Sequence, residues 1–227
     1  MKPILSILLV VISIYAKGQI NPADNVLFNA FKQGSVNGGG NCASIALIKA
    51  CIGTYGVGNV FSYGIPKTDN SITVKLKNDS TFDVTFKEIA EATRGNGFVI
   101  KSTNLQAGAI KKYADTCFAI MVKVNEKVWE YDSYTESLSA LLNGYNTPNV
   151  YLLLGVRFRE ISKDSLNDYS HLLFYNSYHA VYSSNGYYDE TKSSKGYSLN
   201  SNFDNNRFGI KCSWYGCKPR KVFIIDR

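Results

Sequence analysis

The stretch Gly38-Gly39-Gly40-Asn41-Cys42-Ala43-Ser44-Ile45-Ala46-Leu47-Ile48 runs from flexible glycines straight into an apolar helix, with a cysteine at the helix start. The first turn of a helix has backbone N–H groups without intrahelical partners and the positive end of the dipole, so a thiolate is favoured there. The same N–H groups can donate to an oxyanion. Cysteine is equally a small buried hydrophobe, and Gly-Asn before a helix also serves as plain loop and cap. What the rest of the chain offers this thiol decides between the two.

The leader MKPILSILLVVISIYAKGQ has a positive Lys2, an apolar run from Ile4 to Tyr15 and the small-x-small site Ala16-Lys17-Gly18. It reads as a signal peptide over residues 1–18, leaving Gln19 as the new N-terminus and one domain over residues 19–227. No cysteine follows the run closely enough for a lipoprotein anchor, and no later stretch has the length and apolarity of a membrane span. A soluble protein, secreted or periplasmic, is expected. The hydrophobic fraction of 45% and charged fraction of 19% are those of a globular chain. Without Lys2 and Lys17 the formal charge falls from +7 to +5, and its densest spot is only Lys218-Pro219-Arg220-Lys221. So thin a spread argues for solubility and against a nucleic-acid footprint.

Five cysteines in an exported chain leave at least one thiol unpaired or bonded to another chain. Cys212 and Cys217 can close a small loop around Trp214. Cys51 lies nine residues after Cys42, on the opposite side of a helix, so Cys117 is its expected disulfide partner. Cys42 is then the free thiol, a liability in an oxidising compartment unless it has a use.

Local patterns supply the elements. Asn21-Pro22-Ala23-Asp24 opens a short helix to about Phe31. The Cys42 helix follows with a broad apolar arc of Ile45, Leu47, Ile48, Cys51 and Ile52, stopped by Gly53. Ile72 to Lys77 and Thr81 to Phe86 alternate around Asn78-Asp79 as a hairpin. Thr85 with Glu88 has the form of a capping box for a helix ending near Gly95. Thr103 to Gln106 repeats that form ahead of a helix to about Val122, whose latter half, Cys117 to Val124, also suits a strand. Ser133 to Glu136 opens another helix, ended by Gly144. From Tyr151 the pattern is strand-like. Helices first and antiparallel strands later predict an α+β domain, with a cleft between its two halves.

A nucleophilic cysteine needs a base, and the chain has only His171 and His179. His179 is the better placed, because it opens a hairpin, Tyr178 to Glu190, whose return strand carries two carboxylates. A three-residue loop, Ser184-Asn185-Gly186, pairs Val181 with Asp189 and sets that carboxylate diagonal to His179 on one face. A two-residue Asn185-Gly186 turn pairs Val181 with Glu190 instead. Asp189 is preferred as the orienting group, with Glu190 open. Histidines in Tyr-rich strands can also be structural.

Gln33-Gly34 with Gly40-Asn41-Cys42-Ala43-Ser44, followed at a distance by His179-Ala180-Val181, resembles the papain-like cysteine peptidase superfamily, with its calpain-type and related bacterial branches nearest. There a Gln and a Gly-rich loop precede a catalytic Cys on a central helix, and a distant His opens a strand. The resemblance implies a papain-like α+β fold, its central helix packed on an antiparallel sheet. It implies Cys42 as nucleophile, His179 as general base and later acid, and Gln33 as oxyanion donor beside the Cys42 N–H. Nine residues from Gln33 to Cys42 exceed the usual spacing, so the inserted glycines must loop out. The Asn-Ser-Trp or Asn-Pro-Trp signature after the histidine is missing; Asn200-Ser201-Asn202-Phe203 is a faint echo, and an Asp orienter fits better.

The expectation is a secreted cysteine hydrolase, a peptidase acting on a protein or peptide through a thioester intermediate, with no cofactor, no nucleic acid and no membrane after leader removal. Two histidines and scattered cysteines offer no zinc spacing, and the glycines lack the Lys-Ser/Thr of a phosphate loop. A glutamine deamidase or transglutaminase would use the same triad. A non-catalytic exported binding module, presenting Tyr169, Tyr175, Tyr178, Tyr182, Tyr187 and Tyr188, belongs to another class, and a degenerate papain-like fold would keep the shape without activity. Oligomeric state is not legible.

Overall fold

The computed structural model describes residues 24–34, 40–100, 102–145, 147–162, 165, 168–175, 179–185, 187–189, 196–198 and 221–226. The leader, Cys212, Cys217, Glu190 and Asn200 lie outside the described residues.

Helix α1 spans Asp24–Ala30, and strand β1, Lys32–Gln33, follows at once. Helix α2 spans Cys42–Tyr55 and is buried from Cys42 through Gly53. It is thus enclosed on all sides, as a central helix with a broad apolar arc should be. A helix that is apolar around its circumference satisfies its backbone internally and belongs in a core. Gly53 is not its stop. The helix runs on to Tyr55 and ends at Gly56, whose φ of 89° is open to glycine and whose N–H donates to the Ile52 carbonyl at 2.8 Å.

A small sheet forms from β2 (Ser62–Tyr63), β3 (Ser71–Lys75) and β4 (Thr81–Thr85). The expected hairpin pairs Lys75 with Thr81, and Asp79 takes a φ of 65° in the turn. Helix α3, Phe86–Gly95, begins with the capping box: Thr85 Oγ1 accepts from the Glu88 N–H at 3.1 Å, and Glu88 Oε2 accepts from the Thr85 N–H at 2.7 Å. Thr85→Ala is expected to lower unfolding stability by about 1 kcal/mol, read from urea denaturation. Strand β5, Phe98–Val99, returns to pair with β1.

Helix α4, Leu105–Val128, settles the ambiguous stretch: Cys117 to Val124 is helical throughout. Its β-branched residues Ile120, Val122 and Val124 are packed inside the core, and tertiary burial overrides local strand preference. Asn104 rather than Thr103 caps it, accepting from the Gln106 N–H at 2.8 Å. Helix α5, Tyr134–Leu142, starts from the expected Ser133 cap, which accepts from the Glu136 N–H at 3.2 Å. A 3₁₀ segment, Thr147–Leu154, occupies the region read as the first late strand. Strands then begin at Arg157.

The later half is β6 (Arg157–Glu160), β7 (Leu172–Tyr175), β8 (Ala180–Ser184), β9 (Tyr187–Asp189), β10 (Gly196–Ser198) and β11 (Lys221–Asp226). They form an antiparallel sheet in the order β10-β9-β8-β7-β11-β6. Period-two alternation divides its faces. Leu173, Ala180, Tyr182 and Ile225 join the main core with α2, whereas Leu172, Phe174, Val181, Val222 and Ile224 form a second cluster. The architecture is therefore mixed α+β with antiparallel sheets. Among the described residues no helix is long and apolar enough to cross a membrane.

Candidate active site

The site is organised by α2 lying along β8. Two contacts fix their relative direction. Lys49, two helical turns after Cys42, meets Asp189, whose strand partner is Tyr182. Gly53, one turn further, lies against the His171 ring, and the His171 N–H donates to Ser184 Oγ at 3.3 Å near the end of β8. Helix and strand thus advance together from the Cys42 end. His179, half-buried, immediately precedes β8 at that same end; continued strand alternation would set it in phase with Val181, on the face away from α2, so a pairing with Cys42 requires the chain to leave that alternation before Ala180.

Cys42 itself is 6% exposed. The side chain of Asn41 does not cap α2; its amide instead donates to the Asn96 carbonyl at 2.9 Å. The Asn96 amide in turn donates to Asp115 Oδ1 at 2.9 Å, and Lys111 donates to Asp115 Oδ2 at 2.7 Å. Burial raises the Asp115 carboxyl pKa above its usual range, against the hydrogen bonds from Lys111 and Asn96. The same turn holds Gln33: its strand pairs Gln33 with Phe98, and the Gly34 N–H donates to the Gly97 carbonyl at 2.8 Å. Gln33 and Asn41 are therefore tied to neighbouring residues of one segment, 96–98, although nine positions separate Gln33 from Cys42. Gly40 passes so close to Gly144 that a Cβ there would strike its backbone nitrogen.

The β8–β9 hairpin corrects the expected orienter. Tyr182 pairs with Asp189, Ser183 with Tyr188 and Ser184 with Tyr187, so the turn is the two-residue Asn185-Gly186 form. Asp189 consequently shares the face of Tyr182, not that of Val181, and the diagonal approach to His179 expected from a three-residue loop is lost. Its carboxylate is engaged by two ammonium groups, Lys32 on Oδ1 and Lys49 on Oδ2. All three side chains are essentially sealed from solvent, at 0%, 0% and 1% exposure. Lys49 also donates to the Phe28 carbonyl at 3.0 Å and lies 4.9 Å from the Phe31 ring centroid. Burial, with the Lys32 charge nearby, holds the Lys49 ammonium pKa well below its ordinary value.

The disulfide expectation for Cys51 and Cys117 is also corrected. Both are free thiols, each fully buried. They are close enough for the Cys51 charge to act on Cys117, yet burial foremost pushes both thiol pKa values up and keeps them protonated. Cys42 is thus not singled out by elimination. Its position at the start of α2 distinguishes it.

The chain matches no family model, no curated protein and no solved structure. The chemistry of the site must therefore be judged on its own geometry. Among the described residues no three His, Cys, Asp or Glu side chains gather as a metal site would require.

Sequence reasoning missed Lys32 and Lys49 altogether. A signal was present, since Lys49 falls seven residues after Cys42 on the same side of a helix otherwise apolar all round, and a buried charge demands a partner. It named His171 and set it aside without foreseeing its setting: its φ of 60° and contact with Tyr182 (Nδ1 to hydroxyl oxygen, 2.8 Å) explain Gly53 as a space for a ring. The hydroxyl of Tyr175 is buried with no hydrogen-bond partner among the described residues, and burial, with Cys42 and Cys51 near, raises its pKa.

Proposed function

We propose that the chain is a papain-like cysteine hydrolase, secreted or periplasmic, that cleaves amide bonds in proteins or peptides. The observation that supports this reading is the common direction of α2 and β8, in which the start of the helix and the start of the strand lie toward the same end. In this mechanism His179 takes the Cys42 proton, and the thiolate attacks the amide carbon. The oxyanion is received by N–H groups at the start of α2 and by Gln33, a role supported by the pairing of Gln33 with the same 96–98 segment that Asn41 bonds. The imidazolium returns its proton to the leaving amine, leaving a thioester. Water, deprotonated by His179, then releases the acid and restores the thiol. The orienting role passes from Asp189 to the remaining acceptors named from sequence, Glu190 and Asn200.

Iodoacetamide labelling at pH 5.5, mapped by peptide mass, tests the dyad. Cys42 is expected to react selectively, and His179→Ala to slow that reaction at least tenfold, because an imidazolium-paired thiolate persists well below an ordinary thiol pKa of about 8.5. A Cys42 that is inert, or whose rate ignores His179, would overturn the hydrolase. Incubation with casein then separates peptide cleavage from a one-dalton deamidation.

A further inference from the structure

Beyond the thiol and the imidazole, one buried carboxylate links β1 and α2, which carry Gln33 and Cys42, to the β8–β9 hairpin that His179 precedes. Lys32 sits in β1, next to Gln33; Lys49 sits in α2, about 10 Å along the axis from Cys42; Asp189 sits in β9, paired to β8, which His179 precedes. Asp189 accepts from both ammonium groups, one on each oxygen. We propose that Asp189 is a positioning residue, a clasp that sets the spacing of Cys42, His179 and Gln33 through Lys49, the β8–β9 pairing and Lys32. This inference rests on the hydrolase reading.

The geometry favours a positioning role over mere packing. Replacing such a buried group by apolar residues of similar volume is often neutral for stability, so the fold alone does not require ions here. Charge-assisted hydrogen bonds are, however, directional and short-ranged. A carboxylate with an ammonium on each oxygen restricts how far α2 can slide along β8 and how far β1 can drift from both, and a displacement of about 1 Å at a reacting centre can cost a hundredfold in rate.

The test uses thiol labelling of the full mature chain with iodoacetamide from pH 5 to pH 9.5, in Asp189→Asn and in the apolar triple variant Lys32→Met/Lys49→Met/Asp189→Leu. Cys51 and Cys117 are internal controls, since both are fully buried and become labelled only if the core opens. The expected result, in whichever variant keeps Cys51 and Cys117 protected, is a loss of at least tenfold in Cys42 labelling at pH 5.5, with labelling at pH 9.5 retained. That profile is the signature of a thiol that has lost its imidazolium partner. A folded variant with the wild-type Cys42 pH profile overturns the clasp. If both variants label Cys51 and Cys117 as fast as Cys42, the cluster is structural and the proposal is likewise overturned. Failure of the underlying reading looks different: wild-type Cys42 itself is then unreactive at pH 5.5.

Discussion

Alanine at position 179 is expected to lower turnover of a protein substrate by about 10²–10⁴-fold, the usual contribution of a positioned general base. The thiol of Cys42 would retain its place at the start of α2, so the loss should fall on kcat more than on KM. In the proposed mechanism four proton transfers depend on the same ring, from the thiol, to the leaving amine, from the water and back to the thiol, and none has a substitute in the other histidine. His171 stands eleven residues of helix away, against Gly53, with Nδ1 on the Tyr182 hydroxyl. Initial rates of peptide release from casein, compared with Cys42→Ala as the background, give the measurement. Retention of more than half the wild-type rate in His179→Ala would exclude it as the base.

Asp189→Ala is expected to destabilise the fold by about 3–5 kcal/mol, because it strands two ammonium groups with no exposed surface around them. For a chain of this size that corresponds to a fall in Tm of roughly 6–20 °C. Lys32→Met/Lys49→Met/Asp189→Leu should recover most of it, since no charge is then left to desolvate. Thermal unfolding followed by circular dichroism at pH 7 distinguishes these cases. A single variant within 1 °C of wild type would show that solvent reaches the lysines after all.

The parts of the fold that were legible in the sequence rest on local physics. The Thr85 capping box, the Ser133 cap and the hairpin at Asn78-Asp79 are written in a few adjacent residues. What was not legible depends on distant neighbours. Cys117 to Val124 is helical because Ile120 and Val122 are enclosed by the core. Residue types alone left the β8–β9 register open, since Ser184-Asn185-Gly186 fits either turn; the observed pairing moves Asp189 by one position and so to the other face. The same slip turned a supposed orienter into the partner of two lysines. Cysteine counting failed for a related reason: Cys51 and Cys117 neighbour one another inside the core without being joined.

The glycine-rich insertion acquires a different meaning from its two ends. Gly34 is hydrogen-bonded to Gly97, while Gly40 is lodged against Gly144 and Asn41 is tied to Asn96. Both points of departure are thus moored to the body of the protein independently of what joins them. The places of Gln33 and Asn41 are therefore set by these moorings and not by the number of residues counted between them.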